Sequence, residues 1–176
     1  CYHVINRGNG RAVVFHKHGD FAAFERVLSL ACERHSMRLL AWCLMNNHFH
    51  LVLWPTGKGD VARFMQWLTT CHARRYHRHY RGSGHVWQGR YKCFPVEPGT
   101  HLLTVLRYVE RNPLRAGMVR KAQDWKHSSL KGGKFPIAAD PGETGPAAGV
   151  PSKPLVHWLK TGPTRRPKPW LRFVNT

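Results

Sequence analysis

The sequence predicts an α+β domain built on an antiparallel sheet, and three observations carry that expectation. Strand-length apolar segments and helix-period segments succeed one another as strand, helix, strand, strand, helix, strand, helix. The turn-prone pair Asn46-Asn47 joins two of the strands. Finally, 42% of the 176 residues are hydrophobic, enough to fill a core. That order suits a split βαβ sandwich with helices packed on one face of the sheet.

Tyr2 to Asn6 reads as a short strand, and Arg7-Gly8-Asn9-Gly10 as the turn after it. Asp20 is placed to cap a helix running to about His35, with Phe21, Phe24, Leu28 and Ala31 as its apolar stripe. Met37 to Met45 and His48 to Trp54 form a hairpin about Asn46-Asn47. Asp60 is expected to cap a second helix, with Val61, Phe64, Met65 and Leu68 inward and a basic tract from Arg74 to Arg81 near its end. Trp87 to Val96 reads as a fourth strand. A third helix from about His101 to Arg111 is expected to close at Asn112-Pro113, because a residue before proline is disfavoured in the α region. Residues 1–130 then form the folded domain, 131–154 a Gly- and Pro-rich linker, and 155–176 a docked tail containing Trp158, Trp170 and Phe173.

Charge narrows the partner. Lys and Arg number 28 against 9 Asp and Glu, a formal charge of +19, and 13 His stand beside them. Such a field calls for a polyanion, and nucleic acid is the obvious one because its phosphates attract Lys and Arg whatever the sequence. No membrane partner is expected: the longest apolar runs, Leu39 to Met45 and Phe49 to Trp54, fall far short of the roughly 20 residues of a spanning helix. The opening Cys1-Tyr2-His3 shows no leader pattern, and the missing Met suggests a trimmed chain. The five Cys are odd in number and never spaced C-x-x-C. They read as reduced thiols, mostly core filler, rather than a zinc knuckle.

Alternation on the strand from His48 to Trp54 sends Phe49, Leu51 and Leu53 to one face and His48 and His50 to the other. Two imidazoles side by side on a rigid strand can share a cation and leave positions open for substrate. They can equally fill a half-buried sheet face. On the third helix, Leu102, Leu103, Val105, Leu106 and Val109 form an inward face, and Tyr108 and Asn112 lie four apart along its edge. A phenol can serve as a covalent nucleophile, and an amide oxygen is a hard neutral ligand. Tyr108 as a surface aromatic and Asn112 as a helix-end residue are the plainer reading. Tyr76 and Tyr80 are rival nucleophiles, but neither has an amide four residues later.

Four segments carry a family resemblance: Asn6-Arg7-Gly8-Asn9, the run from Met45 to Val52, Trp87-Gln88-Gly89-Arg90-Tyr91, and the run from Tyr108 to Val119. In this order, over about residues 2–130, the chain resembles the REP-associated tyrosine transposases, which are single-tyrosine endonucleases with a His-hydrophobe-His pair. The resemblance implies a ferredoxin-like catalytic domain in a bacterial, cytoplasmic and nucleoid-associated protein. It also implies divalent-metal-dependent cleavage of single-stranded DNA, recognition of repetitive palindromic hairpins, and a 5′-phosphotyrosine intermediate. Residue by residue, His48 and His50 match the imidazole pair, Tyr108 the nucleophile and Asn112 the amide that completes the metal site; Mg²⁺ or Mn²⁺ is the expected ion. Phosphate contacts are expected from Arg7, Arg11, Arg74, Arg75, Arg78, Arg90, Arg111 and Arg115, with Trp87 or Tyr91 as base-stacking platforms, in a monomer or homodimer. Two other functions fit the same residues: a non-catalytic module for structured DNA or RNA, and a phosphodiesterase that uses metal and water but not Tyr108.

Overall fold

The structure, a computed structural model, describes residues 1–131 and 170–176. The linker expected over 131–154 and the tail as far as residue 169 lie outside these residues, Lys131 excepted. Strand β1 (Tyr2–Arg7) leads through a 3-10 turn (Asn9–Arg11) to helix α1 (His18–Arg34), and strands β2 (Arg38–Met45) and β3 (His48–Trp54) follow. Helix α2 (Asp60–Tyr80), strand β4 (Lys92–Pro95) and helix α3 (Thr100–Arg115) complete the domain, and a short helix α4 (Trp170–Asn175) ends the chain. The sheet order is β2-β3-β1-β4, and every pairing is antiparallel. This is the α+β arrangement that the order of segments predicts.

Helices cover both faces rather than the one face expected, because the apolar stripe of α3 packs on the side of the sheet opposite α1 and α2. Phe21, Phe24 and Leu28 of α1 and Phe64, Met65 and Leu68 of α2 pack on Val4, Leu44, Phe49, Leu51 and Leu53. Across the sheet, Leu102, Leu106 and Val109 of α3 and Trp170 and Val174 of α4 pack on Leu40, Cys43, Met45 and Val52. Burial on two sides explains why β2 is a continuous apolar run rather than an alternating one. A register shift between Leu39 and Ala41 lets Leu40 and Ala41 join the same layer. The outer edge of β2 is covered by the chain after α3: Leu44 N–H donates to the His127 carbonyl at 2.9 Å, and Trp125 Nε1 to the Leu44 carbonyl at 2.8 Å.

Several boundaries differ from the sequence reading. Asp20 is not the cap of α1 but lies in its first turn, where its carboxylate accepts from the His16 and Lys17 amides at 2.8 and 3.1 Å. Asp60 is likewise the first residue of α2, its carboxylate accepting from the Gly57 amide at 2.5 Å. The fourth strand shrinks to Lys92–Pro95: Gly89, at φ 64°, turns the chain back with its N–H on the Trp87 carbonyl. Helix α3 does not stop at Asn112 but runs through Pro113 to Arg115. A proline there withholds the N–H that the Val109 carbonyl would receive, and Asn112 Nδ2 compensates, donating to Tyr108 O at 2.8 Å and Val109 O at 3.4 Å. Of the five free thiols only Cys43 is fully buried, and Cys93 is exposed. Among the described residues no helix is long and apolar enough to cross a membrane.

Candidate active site

The site forms where β1, β3 and α3 meet. Phe49, Leu51 and Leu53 spend one face of β3 on the α1 and α2 layer, so His48 and His50 emerge on the α3 side. Their ring centroids are 5.1 Å apart. On β1, Val4 faces the α1 and α2 layer, which turns His3 toward α3 as well, and His3 Nε2 lies 3.0 Å from His50 Nδ1. Leu102, Leu106 and Val109 seat α3 over this face, and the same seating lays Tyr108 across the imidazoles. Its ring meets His50 edge-on at 5.7 Å and His3 at 5.8 Å, while 39% of the residue stays exposed to a substrate.

Electrostatics suit neutral donors. Burial pulls His3 down to about 4; burial, then the Arg7 charge, does the same for His48. His50 falls to about 2 through burial, then through His48, His3 and Arg7. All three imidazoles are therefore uncharged at neutral pH, the form in which a ring nitrogen can hold a cation. His50 Nε2 is buried and has no hydrogen-bond partner among the described residues. Among the described residues no three His, Cys, Asp or Glu side chains form a metal-holding group, so a cation here would need an uncharged amide or substrate oxygens beside the imidazoles.

The other expected residues divide. Asn112 turns its Nδ2 to its own helix, leaving the lone pairs of Oδ1 for another partner. Arg7 is exposed at the end of β1, opposite His48 in register, and Arg11 is exposed in the following turn. The Arg115 guanidinium stands 5.3 Å from the Tyr108 ring centroid. Arg111 Nη2 donates to the Thr176 carbonyl at 2.8 Å, and Arg90 lies over Tyr91 at 5.8 Å. Arg74 and Arg78 are exposed and Arg75 half-buried on α2, in the layer opposite Tyr108.

Trp87 is corrected: at 6% exposure it packs against Phe49, His72 and Phe24 in the core, so its faces are closed to a base. The rival phenols stand apart from the imidazole pair. Tyr80 donates to Asp20 Oδ2 at 2.7 Å, and Tyr76 Oη lies 3.1 Å from His16 Nε2. Sequence reasoning missed His3 and also Asn47, whose Oδ1 lies 2.7 Å from His48 Nδ1. Alternation with the buried Val4 was the available signal for His3; for Asn47, already a turn residue, there was none.

A family model described as "Transposase IS200 like" matches residues 1–112. A Haemophilus influenzae protein assigned as a REP-associated tyrosine transposase is 26% identical over 118 residues, and the match covers 61% of this chain and 66% of that relative. The solved structure of a REP-associated tyrosine transposase bound to a REP hairpin matches at a TM-score of 0.60 and 18% identity, over 74% of this chain and 75% of that one, and so shares the fold.

Proposed function

The chain belongs to the IS200-like transposase family, whose model matches residues 1–112. From that premise we propose that it is a metal-dependent single-stranded DNA endonuclease and strand transferase that acts on repetitive palindromic hairpin DNA through Tyr108. The observation that carries the proposal is the edge-on contact of Tyr108 with His50 at 5.7 Å, which puts an accessible phenol beside the neutral imidazoles of His50 and His3. The hairpin substrate is supported by the hairpin-bound relative of the same fold and by the charge of +19.

A phosphodiester resists attack because its charged oxygens repel nucleophiles. Mg²⁺ or Mn²⁺, held by His48 and His50 with the Asn112 amide oxygen, would neutralise one of those oxygens and orient the phosphorus. Tyr108 Oη then attacks that phosphorus. The new bond joins the phenolic oxygen to phosphorus, the bond from phosphorus to the 3′ oxygen breaks, and the proton lost by the phenol ends on the freed 3′ hydroxyl. The 5′ phosphate stays on Tyr108, which conserves the bond for strand transfer. Arg115, over the Tyr108 ring, and Arg7, beside His48, are cations placed for the flanking backbone phosphates.

The test is labelled hairpin DNA with the parent protein, Tyr108→Phe and His48→Ala in Mg²⁺ or Mn²⁺. The expected results are a covalent adduct whose mass shift maps to Tyr108, and loss of cleavage in both variants with DNA binding largely kept. Cleavage by Tyr108→Phe would replace this reading with a water-using phosphodiesterase. Absence of cleavage by the parent on every repeat hairpin tested would leave a binding module.

A further inference from the structure

Two hydrogen bonds enter the imidazole pair from outside it, and both arrive at an Nδ1 atom. The Asn47 amide sits between two groups: its Nδ2 donates to the Arg11 carbonyl at 3.0 Å, and its Oδ1 lies 2.7 Å from His48 Nδ1. A backbone carbonyl only accepts, so the amide must turn its NH₂ to Arg11 and its oxygen to His48. His48 Nδ1 is then the donor, and its lone pair is left on Nε2. At His50 the geometry repeats with a different partner, His3 Nε2 at 3.0 Å from Nδ1. One of these two nitrogens carries the proton. If it were His3, the His50 proton would sit on Nε2, which is buried with no acceptor among the described residues. Placing it on His50 Nδ1 strands no donor and leaves the buried Nε2 with a lone pair.

We propose that Asn47 and His3 are positioning residues, each accepting the Nδ1–H of one imidazole so that the Nε2 lone pairs of His48 and His50 are presented as a pair. The inference rests on the metal-dependent reading given above. Strand alternation explains only that both rings share a face; it leaves each free to rotate about its own bond to the ring, and a fixed acceptor at Nδ1 removes that freedom. Asn47 is in turn held by the end of β1, where the Gly8 N–H donates to the Asn47 carbonyl at 2.7 Å. His3 is held by its strand: its residue pairs with Val52 on one side and Phe94 on the other.

The experiment measures Mn²⁺ affinity of the full chain without DNA, by calorimetry and electron paramagnetic resonance, and the histidine tautomers of the metal-free parent by ¹⁵N NMR. His48→Ala and His50→Ala assign the resonances. Asn47→Ala and His3→Phe remove the acceptors and should weaken Mn²⁺ binding by about 10- to 100-fold. Asn47→Asp and His3→Gln keep an acceptor and should recover most of it. The parent should show His48 and His50 protonated at Nδ1. A proton on Nε2 of either ring overturns the proposal. So does Mn²⁺ binding by Asn47→Ala and His3→Phe equal to the parent's, and if His50→Ala still abolishes it, the metal reading survives alone. A parent that binds no Mn²⁺ overturns the metal reading and this proposal with it.

Discussion

Tyr80 Oη donates to Asp20 Oδ2 at 2.7 Å, tying the end of α2 to the start of α1 on the side of the sheet away from Tyr108. Burial pushes the Asp20 carboxyl up, but hydrogen bonds from Tyr80, Lys17 and His16 outweigh it and hold the group below its ordinary value. Tyr80 itself is pushed up to about 12, by burial and then by this bond, which makes it a poor nucleophile. Tyr80→Phe should therefore cost about 1–2 kcal/mol in urea denaturation and leave the DNA adduct on Tyr108 intact. Loss of the adduct in a folded Tyr80→Phe protein would move the nucleophile to Tyr80.

His72 makes acid stability testable away from the site. It is 3% exposed, with ring centroids 5.0 Å from Phe24 and 5.1 Å from Trp87. Burial pulls it down to about 4; Asp20 on α1 opposes that shift, and Arg75 on its own helix adds to it. Its folded value lies below the unfolded one near 6.5, so below that pH the unfolded chain takes up a proton that the native chain refuses. Stability is thus lost as pH falls from about 6.5 toward about 4, by about 2 kcal/mol from this group between pH 7 and 5. Denaturation of His72→Phe at both pH values should show a pH loss smaller by that amount, and an unchanged loss would refute the assignment.

Glu110 is a fully buried carboxylate on α3, two residues from Tyr108, and it accepts from Trp170 Nε1 at 2.6 Å and Ser129 Oγ at 2.8 Å. Trp170→Phe keeps an aromatic ring but removes one donor from a buried carboxyl group. The expected cost is about 1–3 kcal/mol, with faster amide exchange in residues 170–176. Unchanged exchange would mean that the remaining contacts of α4, among them Arg111 to the Thr176 carbonyl, hold it without this bond.

Gly8 has an ordinary φ of −58°, so its need for glycine is one of space. A Cβ there would collide with the Ala12 carbonyl oxygen and the Val14 side chain. Gly8→Ala should cost about 1–3 kcal/mol in thermal or urea unfolding and shift the His48 resonances, since the Gly8 amide holds Asn47. An unshifted His48 would break that chain of contacts.

What the sequence made legible were features set by local periodicity. The alternation from His48 to Trp54 gave both the core face and the imidazole face, and the stripe Leu102, Leu106 and Val109 located Tyr108. What it concealed depends on pairing between distant segments or on backbone compensation. The His3 contact needs the β1 and β3 register, which no local pattern states. Pro113 forecasts a helix end unless a neighbouring amide replaces its missing donor, as Asn112 does. Trp87 reads as the first residue of a strand, yet it lies before β4, and its bridge to Gly8 draws it beneath the sheet among Phe15, Phe24 and Phe49.

Tyr108 and His50 make their edge-on contact within one polypeptide. With the roles proposed above, the attacking group and the ion-holding groups would be inherited together in every copy, and two differently crippled copies would have nothing to lend one another. An equimolar blend of Tyr108→Phe and His50→Ala should stay as inert as either alone, and recovered cleavage in the blend would reveal that active pairs trade this helix between copies.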